Sequence, residues 1–141
     1  MDKIISFFTG KYILWVILAI PGIGATTKFL TGEANYDMLM HLTGEFAGRF
    51  LVISLIATPI ALLFPKGKIG KWLVRNRRFF GVGAFAYTLL HTIFYLLEVP
   101  LEKVINEFFE LGILTGWTAF FVFIPLAMTS TDAAVRRMGV R

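Results

Sequence analysis

Four ionisable residues stand inside stretches that are otherwise apolar: His41, Glu45, Arg49 and His91. A charged or titratable group in a membrane-embedded run is costly, so each is a candidate for function. His91 is the most informative. Gly81, Ala84, Thr88, His91, Tyr95 and Glu98 recur at steps of three and four, so on a helix they share one face. That face is small toward one end and polar toward the other, and Phe80, Leu89 and Leu96 are expected on the opposite, lipid-facing side. A neutral imidazole beside Gly and Ala leaves room for a flat, wide ligand. Haem has that shape and takes His as an axial ligand. A His bonded to a neighbouring helix fits the same pattern, and spacing alone keeps both readings open.

The run from His41 offers less. Gly44 and Gly48 form a G-x-x-x-G step that permits close helix contact. Glu45 and Arg49 are one turn apart in the order that favours an ion pair. Arg49 reads either as half of an interfacial salt bridge or as the anchor of a cofactor carboxylate such as a haem propionate. His41 reads as an interfacial histidine or as a second, weaker iron ligand. Taking helix starts from hydropathy, His91 is buried about 10 Å below the boundary near which His41 sits, at 1.5 Å per residue. The two are thus poorly matched as axial ligands of one upright haem.

Elements must exist to hold these groups, and composition says which. The chain has 141 residues, 57% hydrophobic and only 16% charged, with a mean hydropathy of +0.73. A soluble domain carries about 25% charged residues. A soluble enzyme, a disordered chain and a free nucleic-acid-binding domain are excluded. With no Cys, disulfide scaffolds and thiolate-held metal centres are excluded too. Four stretches reach the roughly 20 residues that a bilayer crossing needs, at about 12–30, 42–64, 79–97 and 111–128. The expected fold is an all-α membrane protein with four transmembrane helices, read as one domain over residues 1–141. The first stretch also has the look of a signal peptide, and retention as a span is the preferred reading. Pro21 should kink it.

Charge gives the orientation. Of fourteen Lys and Arg, eleven fall before the first span, between the second and third, or after the fourth. This places both termini and the middle loop on the cytoplasmic side, N-in/C-in, in a bacterial inner membrane. The basic loop is then a topology signal before it is a docking site. In residues 100–110, Leu101, Val104, Ile105 and Phe108 oppose Glu102, Asn106 and Glu107. This predicts an amphipathic helix on the outer interface. Motifs for phosphate loops, zinc proteases and serine hydrolases are missing.

Several runs together resemble a known family: His41-Leu42-Thr43-Gly44, Arg49-Phe50-Leu51, Thr58-Pro59, Arg77-Arg78-Phe79-Phe80-Gly81, Ala84-Phe85-Ala86-Tyr87, Leu90-His91, Tyr95, Thr129-Ser130-Thr131-Asp132-Ala133 and Arg137-Met138-Gly139. The chain is similar to ferric-reductase-like transmembrane domains, in particular to the haem-binding membrane subunit of the protein-methionine-sulfoxide reductase system. The resemblance implies a b-type haem with His91 as a ligand and His41 as a recurrent histidine of weaker claim. It implies electron transfer from a cytoplasmic donor to an outer-side reductase; a flavin enters through the resemblance only. Family members continue into a further helix with a W-x-x-L-H pattern, so this sequence corresponds to their first four helices. Three expectations follow: a piece of a longer protein, a short member completed by self-association, or a haem-free structural subunit or small transporter.

Overall fold

The structure is a computed structural model and describes residues 11–129. Lys3, Arg136, Arg137, Arg141 and the similar run from Ser130 to Gly139 lie outside the described residues. Among the described residues five helices follow in order: α1 Lys11–Leu30, α2 Tyr36–Leu63, α3 Lys68–Glu98, α4 Leu101–Asn106 and α5 Leu111–Thr129. Four of them, all but α4, are long and apolar enough to cross a membrane.

Local chemistry sets the boundaries. Gly32, with φ +72°, reverses the chain after α1 in a conformation that side chains resist, and Glu33 N–H closes the end onto Lys28 C=O at 3.0 Å. Asn35 caps α2 by accepting from Met38 N–H at 3.1 Å. Because that cap lies upstream of the apolar run, α2 begins six residues before the expected start at 42. Pro65 ends α2, since the residue before a proline is pushed out of the helical region. A four-residue turn follows, and α3 begins at Lys68, eleven residues before the apolar run at 79. Hydropathy marks where a helix meets lipid; the backbone ladder continues through Lys, Arg and Trp. The predicted helix over 100–110 shortens to α4, and Glu107 to Glu110 turn into α5 through a Glu110 N–H to Glu107 C=O bond.

The body of the fold is the antiparallel α2–α3 hairpin, with α1 laid across it. One core cluster joins Leu14 and Leu18 of α1, Phe50 of α2, and Phe80, Ala84 and Tyr87 of α3; a second joins Ala25, Leu39 and Phe94. Phe80 therefore departs from expectation: it is 8% exposed and packs on Trp72 and Phe50, because α1 covers that side of α3. Helix α5 is different. None of its residues is buried, and Phe120 stacks on Phe85 of α3 with ring centres 6.3 Å apart. Exposed apolar side chains on such a helix face lipid and are not a liability there.

The hairpin has a fixed register. Gly70 lies against Ala61, Gly81 against Ser54, and His91 against Gly44. At Gly70 the approach is closest: an added Cβ would stand 2.8 Å from Ala61 Cα, a backbone atom that cannot move alone. Gly70→Ala is expected to destabilise the protein by about 1–3 kcal/mol, the usual cost of overpacking. Gly116→Ala, where nothing lies within 4 Å, should be neutral or slightly stabilising. Thermal unfolding in detergent compares the two, and equal midpoints would refute the close contact.

Candidate functional site: an imidazole held between α2 and α3

His91 is half-buried on α3 and faces Thr43 and Gly44 on α2. The register explains the meeting: Thr43 lies 24 residues before Gly67 and His91 lies 24 after it. In an antiparallel hairpin, equal counts from the turn give equal depth. Thr43 is fully buried, and its hydroxyl donates to Leu39 C=O at 2.7 Å. That hydroxyl has one hydrogen, so its 3.0 Å contact with His91 Nδ1 is a bond donated by the ring. The Met40 carbonyl also faces the imidazole from α2. The hydrogen-bond network thus assigns the Nδ1–H tautomer. In the neutral ring Nε2 carries the lone pair, which is the form that ligates a metal while the other nitrogen is held by a neighbour.

Gly44 lies against the imidazole, where an alanine would make ordinary contact and only a larger side chain would crowd it. A Cβ at this position would sit 3.4 Å from His91 Cε1, so a larger side chain would push on the ring. Gly48 has nothing within 4 Å, so the G-x-x-x-G step makes one close approach and not two. One turn beyond His91 on the same face, the Tyr95 hydroxyl is buried and has no hydrogen-bond partner among the described residues. A buried orphan hydroxyl costs about 1–3 kcal/mol.

His41, Glu45 and Arg49 lie on another face of α2. His41 is 83% exposed, with Nε2 3.9 Å from a Glu45 carboxylate oxygen. Glu45 also pairs with the Arg49 guanidinium, which lies over the Phe46 ring at 5.5 Å. Depth is not what separates the two histidines. His41 is 26 residues from Gly67 against 24 for His91, a difference of about 3 Å. The expected mismatch arose from starting α2 at 42. What separates them is direction, since residues 41 and 43 point about 200° apart around a helix with 3.6 residues per turn. The structure brings His91 to Thr43 and does not bring His41 or Arg49 to His91. Among the described residues, no three His, Cys, Asp or Glu side chains converge as a metal cage.

Thr43 and Tyr95 are the site residues that sequence reasoning left without a role. Counting equally from the α2–α3 turn would have found Thr43. The residues fit a haem: a fixed imidazole with a lone pair on Nε2, a glycine at the ring, and an unsatisfied hydroxyl one turn away.

The class is an all-helical, multi-pass membrane protein with one ordered histidine inside its helical bundle. Comparison gives the family: the ferric reductase like transmembrane component matches residues 43–141, and the chain belongs to that family. It is 31% identical over 94% of its length to the protein-methionine-sulfoxide reductase heme-binding subunit MsrQ of Brucella ovis, and equally to that of Brucella suis biovar 1. It is 30% identical to the same subunit of Brucella melitensis. The chain spans 62% of the length of these relatives. No solved structure matches it.

Proposed function

We propose that this chain is the haem-binding part of a membrane electron-transfer subunit, with His91 as an iron ligand. One observation carries the reading. The Thr43 hydroxyl, its own hydrogen committed to Leu39, accepts from Nδ1–H and leaves Nε2 for a metal. A haem of the b type would supply one-electron transfer. The chain's residues hold the imidazole, keep water from it and set its tautomer. Tyr95 would offer its unpartnered hydroxyl to a polar group of such a cofactor. The relatives' name supports a methionine-sulfoxide reductase as the electron acceptor. The Lys and Arg distribution supports both termini on the cytoplasmic side of a bacterial inner membrane, so that electrons would pass from a cytoplasmic donor to an acceptor on the outer side.

His41 and Arg49 take a lesser part in this proposal. On the far face of α2 they engage Glu45, so they would meet a cofactor or partner brought to that face. Any further residue that would hold the haem would be brought by another segment or another copy, and a homo-oligomer is one such route.

The test is an absorption spectrum of the purified protein, expressed with ample haem supply, oxidised and then reduced with dithionite. A Soret band that sharpens and shifts on reduction is expected. A colourless protein overturns the reading in favour of a haem-free assembly subunit or small transporter. Thr43→Val should weaken haem binding by about 10–100-fold, the usual effect of removing the group that orients a ligating His. Thr43→Ser should retain it. Haem titration of the apoprotein measures both, and a valine variant that binds like the parent removes Thr43 from the site.

A further inference from the structure

A second feature lies nearer the α2–α3 turn. A cleft of about 720 Å³ opens between α2, α3 and the loosely held α5. Its polar lining includes Ser54, Thr58, Arg77 and Arg78; its other walls are mainly Leu, Val and Phe side chains. The hydroxyls are turned in an unusual direction. Among the described residues, every threonine except Thr58 donates to a carbonyl three or four residues back along the chain. Thr58 instead accepts from the Arg77 guanidinium at 3.1 Å, and its own hydrogen has no acceptor among the described residues. Ser54, one turn away, donates across to Arg77 C=O at 3.0 Å. Arg77 is thus held at both ends of its residue by α2, and Thr58 takes up one of its five N–H donors.

The chain is rich in basic residues here: Lys66, Lys71, Arg75 and Arg77 all fall between Glu45 and Glu98, a stretch of sequence with no Asp or Glu. Arg77 stands where the charged residues end and the apolar run begins, the depth of a lipid head group. A fixed guanidinium suits phosphate, which it can bind through two parallel bonds. The apolar walls ask for a ligand with an apolar body. We propose that this cleft binds the phosphate of an anionic phospholipid from the leaflet that the α2–α3 turn faces. Basic pockets between transmembrane helices are recognised in this way.

The full chain in lipid nanodiscs tests it. Native mass spectrometry should show phosphatidylglycerol retained over phosphatidylcholine by roughly tenfold, equivalent to about 1.4 kcal/mol. Arg77→Gln and Thr58→Val should reduce that preference to twofold or less, as an order of magnitude for one lost charge-assisted pair. Arg75→Gln and Lys71→Gln, on the same helix but outside the cleft, should keep it. Equal losses from all four variants would mean unspecific attraction to a basic surface and would overturn the site. So would displacement of the lipid by inorganic phosphate or flavin mononucleotide at matched concentration. Thr58→Val removes no charge, so it tests the cleft even where Arg77→Gln fails to insert.

Discussion

Replacing His91 by alanine is expected to abolish the Soret band and the spectral response to dithionite. Among the described residues His91 is the half-buried imidazole, and the other histidine is exposed and engaged with Glu45. On the proposed function His91 would hold the haem, so without it haem content should fall at least tenfold, to the background of unspecific uptake. The substitution also strands the Thr43 hydroxyl as an acceptor, but that group still donates to Leu39, so the helices should form. Far-ultraviolet circular dichroism checks this. His91→Gly adds a stricter test: free imidazole should enter the vacated space and restore the band. A colourless variant that imidazole rescues places the ligand at this position. A variant that keeps its full spectrum shows that another residue holds the iron.

The second large effect is expected at Tyr87. Pro21 lies inside α1 and has no N–H, so it cannot bond to the carbonyl four residues back. The disturbance spreads to the next rung, which in a regular helix is Gly22 N–H to Leu18 C=O. Here a side chain from α3 is inserted into that rung. Gly22 N–H donates to the Tyr87 hydroxyl at 2.6 Å, and that hydroxyl donates to Leu18 C=O at 2.8 Å. One tyrosine satisfies a donor and an acceptor at the kink and ties α1 to α3. Its ring also packs edge-on against Phe50, with centres 5.3 Å apart. Tyr87→Phe keeps the packing and leaves both backbone groups unpaired. At about 1–3 kcal/mol for each, the loss should be among the largest of any single-atom change in the chain. The thermal midpoint should drop clearly, and the Gly22 amide should exchange faster with deuterium. Tyr95→Phe is the matched control, because the Tyr95 hydroxyl has no partner among the described residues. In the apoprotein its removal should cost nothing or stabilise. Equal destabilisation by the two variants would show that the Tyr87 hydroxyl bonds are not what matters.

Much of the fold was legible because lipid imposes a simple rule. Four runs of apolar residues long enough to cross a bilayer had to be helices, since only helices satisfy their own backbone there. Their true lengths were less legible. Hydropathy falls at Lys68–Arg78 and at Tyr36–His41, but the hydrogen-bond ladder does not stop where the solvent changes. That error moved His41 to the wrong depth. The stripe containing His91 was read correctly as one face, and Phe80 was read as lipid-facing because periodicity cannot say which side a third helix will cover. The short α4 shows the opposite limit: its apolar spacing over 100–110 was helical, yet the chain turns at Glu107 to enter α5. The Tyr87 insertion and the outward turn of Thr58 had no signal in spacing. Each depends on two residues far apart in sequence and on the exact rotation of two helices.

The equal count from Gly67 to Thr43 and to His91 has a consequence for which changes of chain length this hairpin can survive. One residue inserted within the stretch between Gly67 and His91 would rotate everything beyond it by about 100° and carry the imidazole away from Thr43. Removing four would nearly restore the facing direction but would shift the ring about 6 Å along the helix. Compensation requires a matching indel on the opposite arm, between Thr43 and the turn. Insertions and deletions in functional homologues should therefore be excluded from both arms or occur in pairs, while length varies freely in the turn between α1 and α2 and around α4.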